Sequence, residues 1–164
     1  MTQNTFKPFK KGDDTYCAVN ITNLNQGVNV IIYDFEEGDE LSDFAKQSLL
    51  DINQLSQIEI NKMIDQFWIF AKNCMECSNY GPDIDDIKEG ETQLEHSMKN
   101  LNIFNKNQAF ERTKVKYADT SNNGYGGFVN GINSASKLWF ETPWDDHFTV
   151  VIIENGEICD YEHA

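Results

Sequence analysis

The chain has 164 residues, enough for one domain with its own core and no metal or disulfide staple. Hydrophobic residues make up 40% and aromatics 12%, which excludes a wholly disordered chain. Thirteen Lys and Arg against 27 Asp and Glu give a formal net charge of −14. Such a surface repels nucleic acid and anionic lipid and attracts basic proteins and cations, so direct nucleic-acid or membrane-surface binding is not expected.

Residues 1–14 carry Lys7, Lys10 and Lys11 with no apolar stretch behind them. They read as a polar, poorly ordered arm and not as a secretory signal. No apolar run reaches the length of a membrane span. A chain that starts this way is expected in the cytosol, where Cys17, Cys74, Cys77 and Cys159 stay thiols. Residues 15–21 alternate, with Cys17, Val19 and Ile21 on one face, and predict a strand. Asn25-Gln26-Gly27 is a turn signal. Residues 28–35 are apolar on both faces, which predicts a central strand covered on each side and paired to the first as a hairpin.

Residues 39–54 place Leu41, Phe44, Ala45, Leu49 and Ile52 at helical spacing. Ser56 with Glu59 reads as a capping box, and Leu55 as a staple onto Ile60. Ile60, Met63, Ile64, Phe67, Ala71 and Cys74 then form one stripe of a second helix. Residues 79–82 break the chain. Thr92 with Glu95 suggests another capping box and a short third helix bearing Leu94, Met98 and Leu101. Residues 112–118 read as a strand with Lys114 and Lys116 on an exposed or edge face. Residues 120–136, rich in Ser, Asn and Gly, read as a long loop. Strands at 137–141, 147–154 and 157–161 close the chain, the last two joined by Asn155-Gly156, a strong hairpin signal. The expectation is a single α+β domain over 15–164. Its largely antiparallel sheet comes from the N- and C-terminal strands and packs with two or three helices from the middle of the chain.

The chemical motifs are sparse. Cys74-Met75-Glu76-Cys77 is a CxxC, but it closes a helix, where the dipole opposes a thiolate. A zinc site would need a second ligand pair, and Cys17, Cys159, His96, His147 and His163 are scattered singly. A calcium loop starting at Asp83 would need Gly and Glu where Lys88 and Leu94 stand. Gly124-Tyr125-Gly126-Gly127-Phe128 lacks the Lys-Ser or Lys-Thr of a phosphate loop and reads as a loop carrying Tyr125 outward. No catalytic residue, metal or cofactor is assigned.

Charge distribution is the remaining signal. Residues 34–43 hold six acids and no base, and residues 83–95 hold six acids and one lysine. After Lys137 there is no Lys or Arg, while seven acids fall between Glu141 and Glu162. Acids that steer a basic partner, with aromatics that anchor it, make a binding face. Its candidates are Glu36, Glu37, Asp39 and Glu40 in the first run and Asp83, Asp85, Asp86 and Glu89 in the second. Asp145 and Asp146 add to them near the C-terminus, with Tyr125 and Trp144 as anchors.

Leu138-Trp139-Phe140-Glu141, Asp145-Asp146-His147, Val150-Val151-Ile152 and Asn155-Gly156 resemble the closing strands of small bacterial families that look like immunity proteins of polymorphic or contact-dependent toxin systems. The order before them is similar too: an apolar strand, an acidic patch, then two helices ending in Phe67-Trp68-Ile69-Phe70. The closest match covers about the last sixth of the chain, and residues 74–136 lie outside the resemblance. It implies a cytosolic protein that binds a basic toxin domain, typically a nuclease, and masks its active site or an adjacent surface. It carries over no catalytic residue. Two other readings stay open: an enzyme or ligand-binding domain built from His147, Asp145 and Glu141 beside Tyr125, and a metal-binding module on Cys74 and Cys77. The oligomeric state is not legible in the sequence.

Overall fold

A computed structural model describes residues 5–33, 35, 38–77, 87–120 and 131–164. Seven strands form one sheet in the order β1 (Pro8–Lys11), β2 (Asp14–Ile21), β3 (Gln26–Ile32), β4 (Lys114–Thr120), β5 (Ala135–Thr142), β6 (Asp145–Glu154) and β7 (Glu157–His163). Every neighbouring pair is antiparallel except β3–β4. That parallel step needs a crossover, and the helices supply it: α1 (Asp43–Asn53), α2 (Gln57–Cys77), α3 (Gln93–Leu101) and α4 (Lys106–Glu111). The α+β class with a mainly antiparallel sheet is the architecture of the chain.

Local chemistry explains the helix boundaries. Ser42 accepts from the Ala45 N–H and starts α1, so Asp39 and Glu40 lie ahead of the helix, exposed. Thr92 and Glu95 make both halves of a capping box on α3. Asn105 caps α4, a six-residue helix too short to announce itself by periodicity. Ser56 Oγ accepts from the Glu59 N–H, as the sequence suggests. The Glu59 carboxylate, however, reaches Lys62 and the Ile158 N–H.

The core lies between the helices and one face of the sheet. Its cross-strand row runs Cys17, Val30, Ala118, Leu138, Val151, in register from β2 to β6. Phe67 of α2 sits fully buried at the centre, with ring centroids 5.2 Å from Phe140, 5.7 Å from Phe110 and 6.5 Å from Trp144. The α2 stripe continues through Ala71 to Met75, which takes the fully buried place expected for Cys74; Cys74 is half-buried.

Two expectations are corrected and a third is resolved. Residues 8–11 of the expected arm form edge strand β1, held by register with β2 and by Phe9 stacked on Tyr16 at 5.8 Å. Lys114 and Lys116 lie on an exposed face, as expected, of a strand that is central in the sheet. A bulge between Val115 and Tyr117 turns Tyr117 to the solvent side with the lysines. Strand β3 is central but, among the described residues, covered on one face only, leaving Tyr33 just beyond it 61% exposed.

Candidate partner-binding surface

Strands β3 and β4 are parallel and in register at Ile32 and Thr120, so both finish at the same end of the sheet. The β5–β6 turn lies at the other end of β5. Thr120 faces Ser136 at one end of that ladder, and Lys114 faces Glu141 at the other. Eight residues of strand separate those ends by about 25 Å. Trp144 and Asp145 therefore lie at the opposite end of β5 from Ala135 and Ser136. Glu36, Glu37, Asp83, Asp85, Asp86 and Tyr125 lie outside the described residues.

Trp144 is corrected outright. It is fully buried against Phe67, so it anchors the hairpin to α2 and presents nothing to a partner. Asp146 beside it is exposed, and Glu89 is exposed ahead of α3. Asp145 is half-buried: Oδ1 accepts from the His147 N–H at 3.0 Å and lies 3.1 Å from His147 Nδ1, while Oδ2 stands 3.8 Å from Cys74 Sγ. Burial by itself would raise the Asp145 carboxyl, but the His147 contacts outweigh it and hold the group below its usual range. The Cys74–Asp145 contact ties the C-terminal end of α2 to the β5–β6 turn.

The Cys74 thiol is not activated as a nucleophile. Burial pushes the Cys74 thiol up to about 11, with the Asp145 charge adding to it. Glu141, the third member of the dispersed site weighed above, pairs with Lys116 at 3.5 Å on the opposite side of the sheet from Cys74. All four cysteines are free, and among the described residues no three His, Cys, Asp or Glu side chains gather in a metal-binding geometry. Among the described residues no helix is long and apolar enough to cross a membrane. Two described depressions, one along Gln26, Arg112 and Lys114 and one along Ala18, Asn20 and Asn29, are open to solvent.

Sequence reasoning missed an aromatic cluster on the sheet face away from the helices. Tyr16, Ile31 and Asp119 form one cross-strand row on it; Tyr117, Trp139 and Val150 form the next. Phe148 stands edge-on to both Tyr117, at 5.5 Å, and Trp139, at 6.2 Å. Trp139 Nε1–H donates to Asp119 Oδ2 at 3.0 Å, fixing the indole over a carboxylate that is 6% exposed. The bulge in β4 conceals this set, because it breaks the alternation that would have placed Tyr117 inside.

Comparison with family models, with curated proteins and with solved structures gives no match to this chain.

Proposed function

We propose that the protein acts by binding: it is an immunity-type inhibitor that occupies a basic toxin domain, most simply a nuclease whose cleft is built for polyanions. The observation that carries this reading is how the few cations are used. Lys62, Lys99, Lys106, Lys116 and Lys137 are each held by a carboxylate of this chain, at 2.5 to 3.5 Å. The formal net charge stays at −14 after these pairs are made. Asp39, Glu40, Glu89, Asp146, Glu157, Asp160 and Glu162 are all exposed. A field of this sign accelerates encounter with a basic partner and rejects nucleic acid itself. The resemblance of the closing strands to immunity proteins points the same way.

The test is purification of the tagged chain from its native cell at low salt. One stoichiometric basic partner, released as salt rises and inhibited by the chain at one-to-one ratio in a nuclease assay, is the expected outcome. Elution alone at every salt concentration overturns the reading.

A further inference from the structure

The sheet has two edges, and the chain treats them differently. The β1 edge opens with Pro8, which has no N–H to offer, and carries Lys10 and Lys11. Proline and lysine are common means of keeping an edge strand from pairing with another chain. Strand β7 has neither. Residues 138–164 contain no Lys or Arg, and β7 carries Glu157, Asp160 and Glu162, all exposed. Among the described residues no strand pairs with its outer side.

Resting on the basic-partner reading above, we propose that the partner adds an extended basic segment to the outer edge of β7, with Lys or Arg at alternate positions flanking Asp160 and Glu162.

The phase of the ladder supplies the backbone groups. Phe148 and Ala164 exchange both hydrogen bonds, at 2.7 and 3.0 Å, so the pairs at every second step, Val150–Glu162 and Ile152–Asp160, are bonded pairs too. Tyr161 and His163, at the alternate positions, direct their N–H and C=O groups away from β6. Asp160 Oδ1 accepts from the Tyr161 N–H at 2.8 Å, standing where the carbonyl of an added strand would stand. Below Asp160 the edge is closed: the ladder shifts between Ile152 and Ile153, and Glu59 takes the Ile158 N–H. Addition is therefore confined to residues 160–163.

Charge and side-chain direction then select the occupant. Tyr161 and His163 turn to Phe70, with ring centroids at 5.7 and 4.7 Å, so Asp160 and Glu162 lie on the opposite side of the sheet. Glu162 meets Lys137 at 2.9 Å, while among the described residues Glu157 and Asp160 make no ion pair. Opposite charges across a ladder stabilise it and like charges destabilise it, so this edge favours a strand reading basic, apolar, basic and disfavours a second copy of β7.

The experiment titrates the capped peptide TRVRVRT into the ¹⁵N-labelled full chain at low salt, beside RRRTVVT, which has the same composition without the alternation. Shifts gathering on residues 160–164, slowed amide exchange at Tyr161 and His163, and binding of TRVRVRT about fivefold tighter than RRRTVVT are expected. Asp160→Asn and Glu162→Gln should each weaken that binding about threefold. His163→Pro removes an outward N–H at an edge position that tolerates proline and keeps every acid, and it should weaken binding about fivefold. Equal binding of the two peptides, with shifts at Asp39, Glu89 or Asp146 and no response to His163→Pro, means that charge acts without strand addition and overturns this edge. Shifts of the same amides on raising protein concentration without peptide assign the edge to a second copy and overturn the proposal, as does absence of TRVRVRT binding. The basic-partner reading is decided separately, by the co-purification described above.

Discussion

The Ile158 N–H donates to Glu59 Oε2 at 2.8 Å, so one carboxylate joins the first turn of α2 to the start of the last strand. Lys62 holds the other oxygen at 2.6 Å, and the Glu59 side chain is only 6% exposed. A residue that the sequence marks as a local helix cap thus serves as a tie across 99 residues of chain.

Removing that tie should destabilise the fold. Glu59→Ala leaves the Ile158 N–H without its acceptor, and the cost is about 1–3 kcal/mol, read from urea midpoints. The pH dependence has a fixed sign. Burial alone would raise the Glu59 carboxyl, but the bonds from Lys62 and Ile158 lower it below its ordinary 4.5. Its contribution is therefore present above about pH 4.5 and lost as pH falls through the lower folded value. Glu59→Gln should flatten the acid limb of the stability profile; an acid slope equal to that of the unaltered chain would refute this.

Trp144 supports a second prediction. It is fully buried, and its indole N–H finds no acceptor among the described residues. Trp144→Ala should cost about 3–5 kcal/mol through the cavity it opens beside Phe67. Trp144→Phe keeps an aromatic ring and removes an unpaired donor, so it should cost under about 1.5 kcal/mol. Equal losses for the two variants would mean that the indole N–H makes a bond that matters. Partner affinity should survive Trp144→Phe, because the ring faces inward.

These two residues show where sequence reading succeeds and where it stops. Ser56, Thr92 and the alternation at Cys17, Val19 and Ile21 act locally, so caps, strands and fold class are legible from short windows. Asn155-Gly156 is legible for the same reason: a positive φ at both positions, 51° and 79°, can be met by few residue pairs. Trp144 is different. An aromatic next to two acids looks like a surface anchor, and only the approach of Phe67, 77 positions earlier, turns it inward. Tyr117 is hidden by a one-residue bulge, and β1 by the stack of Phe9 on Tyr16, neither of which has a periodic signature.

The β6–β7 turn yields a third prediction. Gly156 sits at φ +79°, with the Asp51 carboxylate 3.5 Å from where a Cβ would stand. Asn155 ties the turn to the chain entering β5, accepting from the Asn133 N–H and donating to the Gly131 carbonyl. Gly156→Ala should cost about 1–2 kcal/mol, since an L side chain is strained in the left-handed region. Amide exchange at Cys159 and Asp160 should quicken with it. A neutral effect on urea stability would show that the turn relaxes to another type.

The cysteines give the last prediction. Burial raises the Cys17 and Cys74 thiols to about 11, and in Cys74 the Asp145 charge reinforces the effect. Cys74 also lies in the final turn of α2, where the helix dipole disfavours an anion. The CxxC pair should therefore not behave as a redox couple with an activated first thiol. In native protein at neutral pH, iodoacetamide should modify exposed Cys77 first, Cys74 slowly, and Cys17 only on unfolding, as followed by peptide mass spectrometry. Asp145→Asn should bring Cys74 alkylation forward to lower pH, since it removes a charge that opposes the thiolate while keeping the shape of the turn. Faster labelling of Cys74 than of Cys77 in the unaltered chain would contradict the geometry and return the CxxC to consideration as a reactive site.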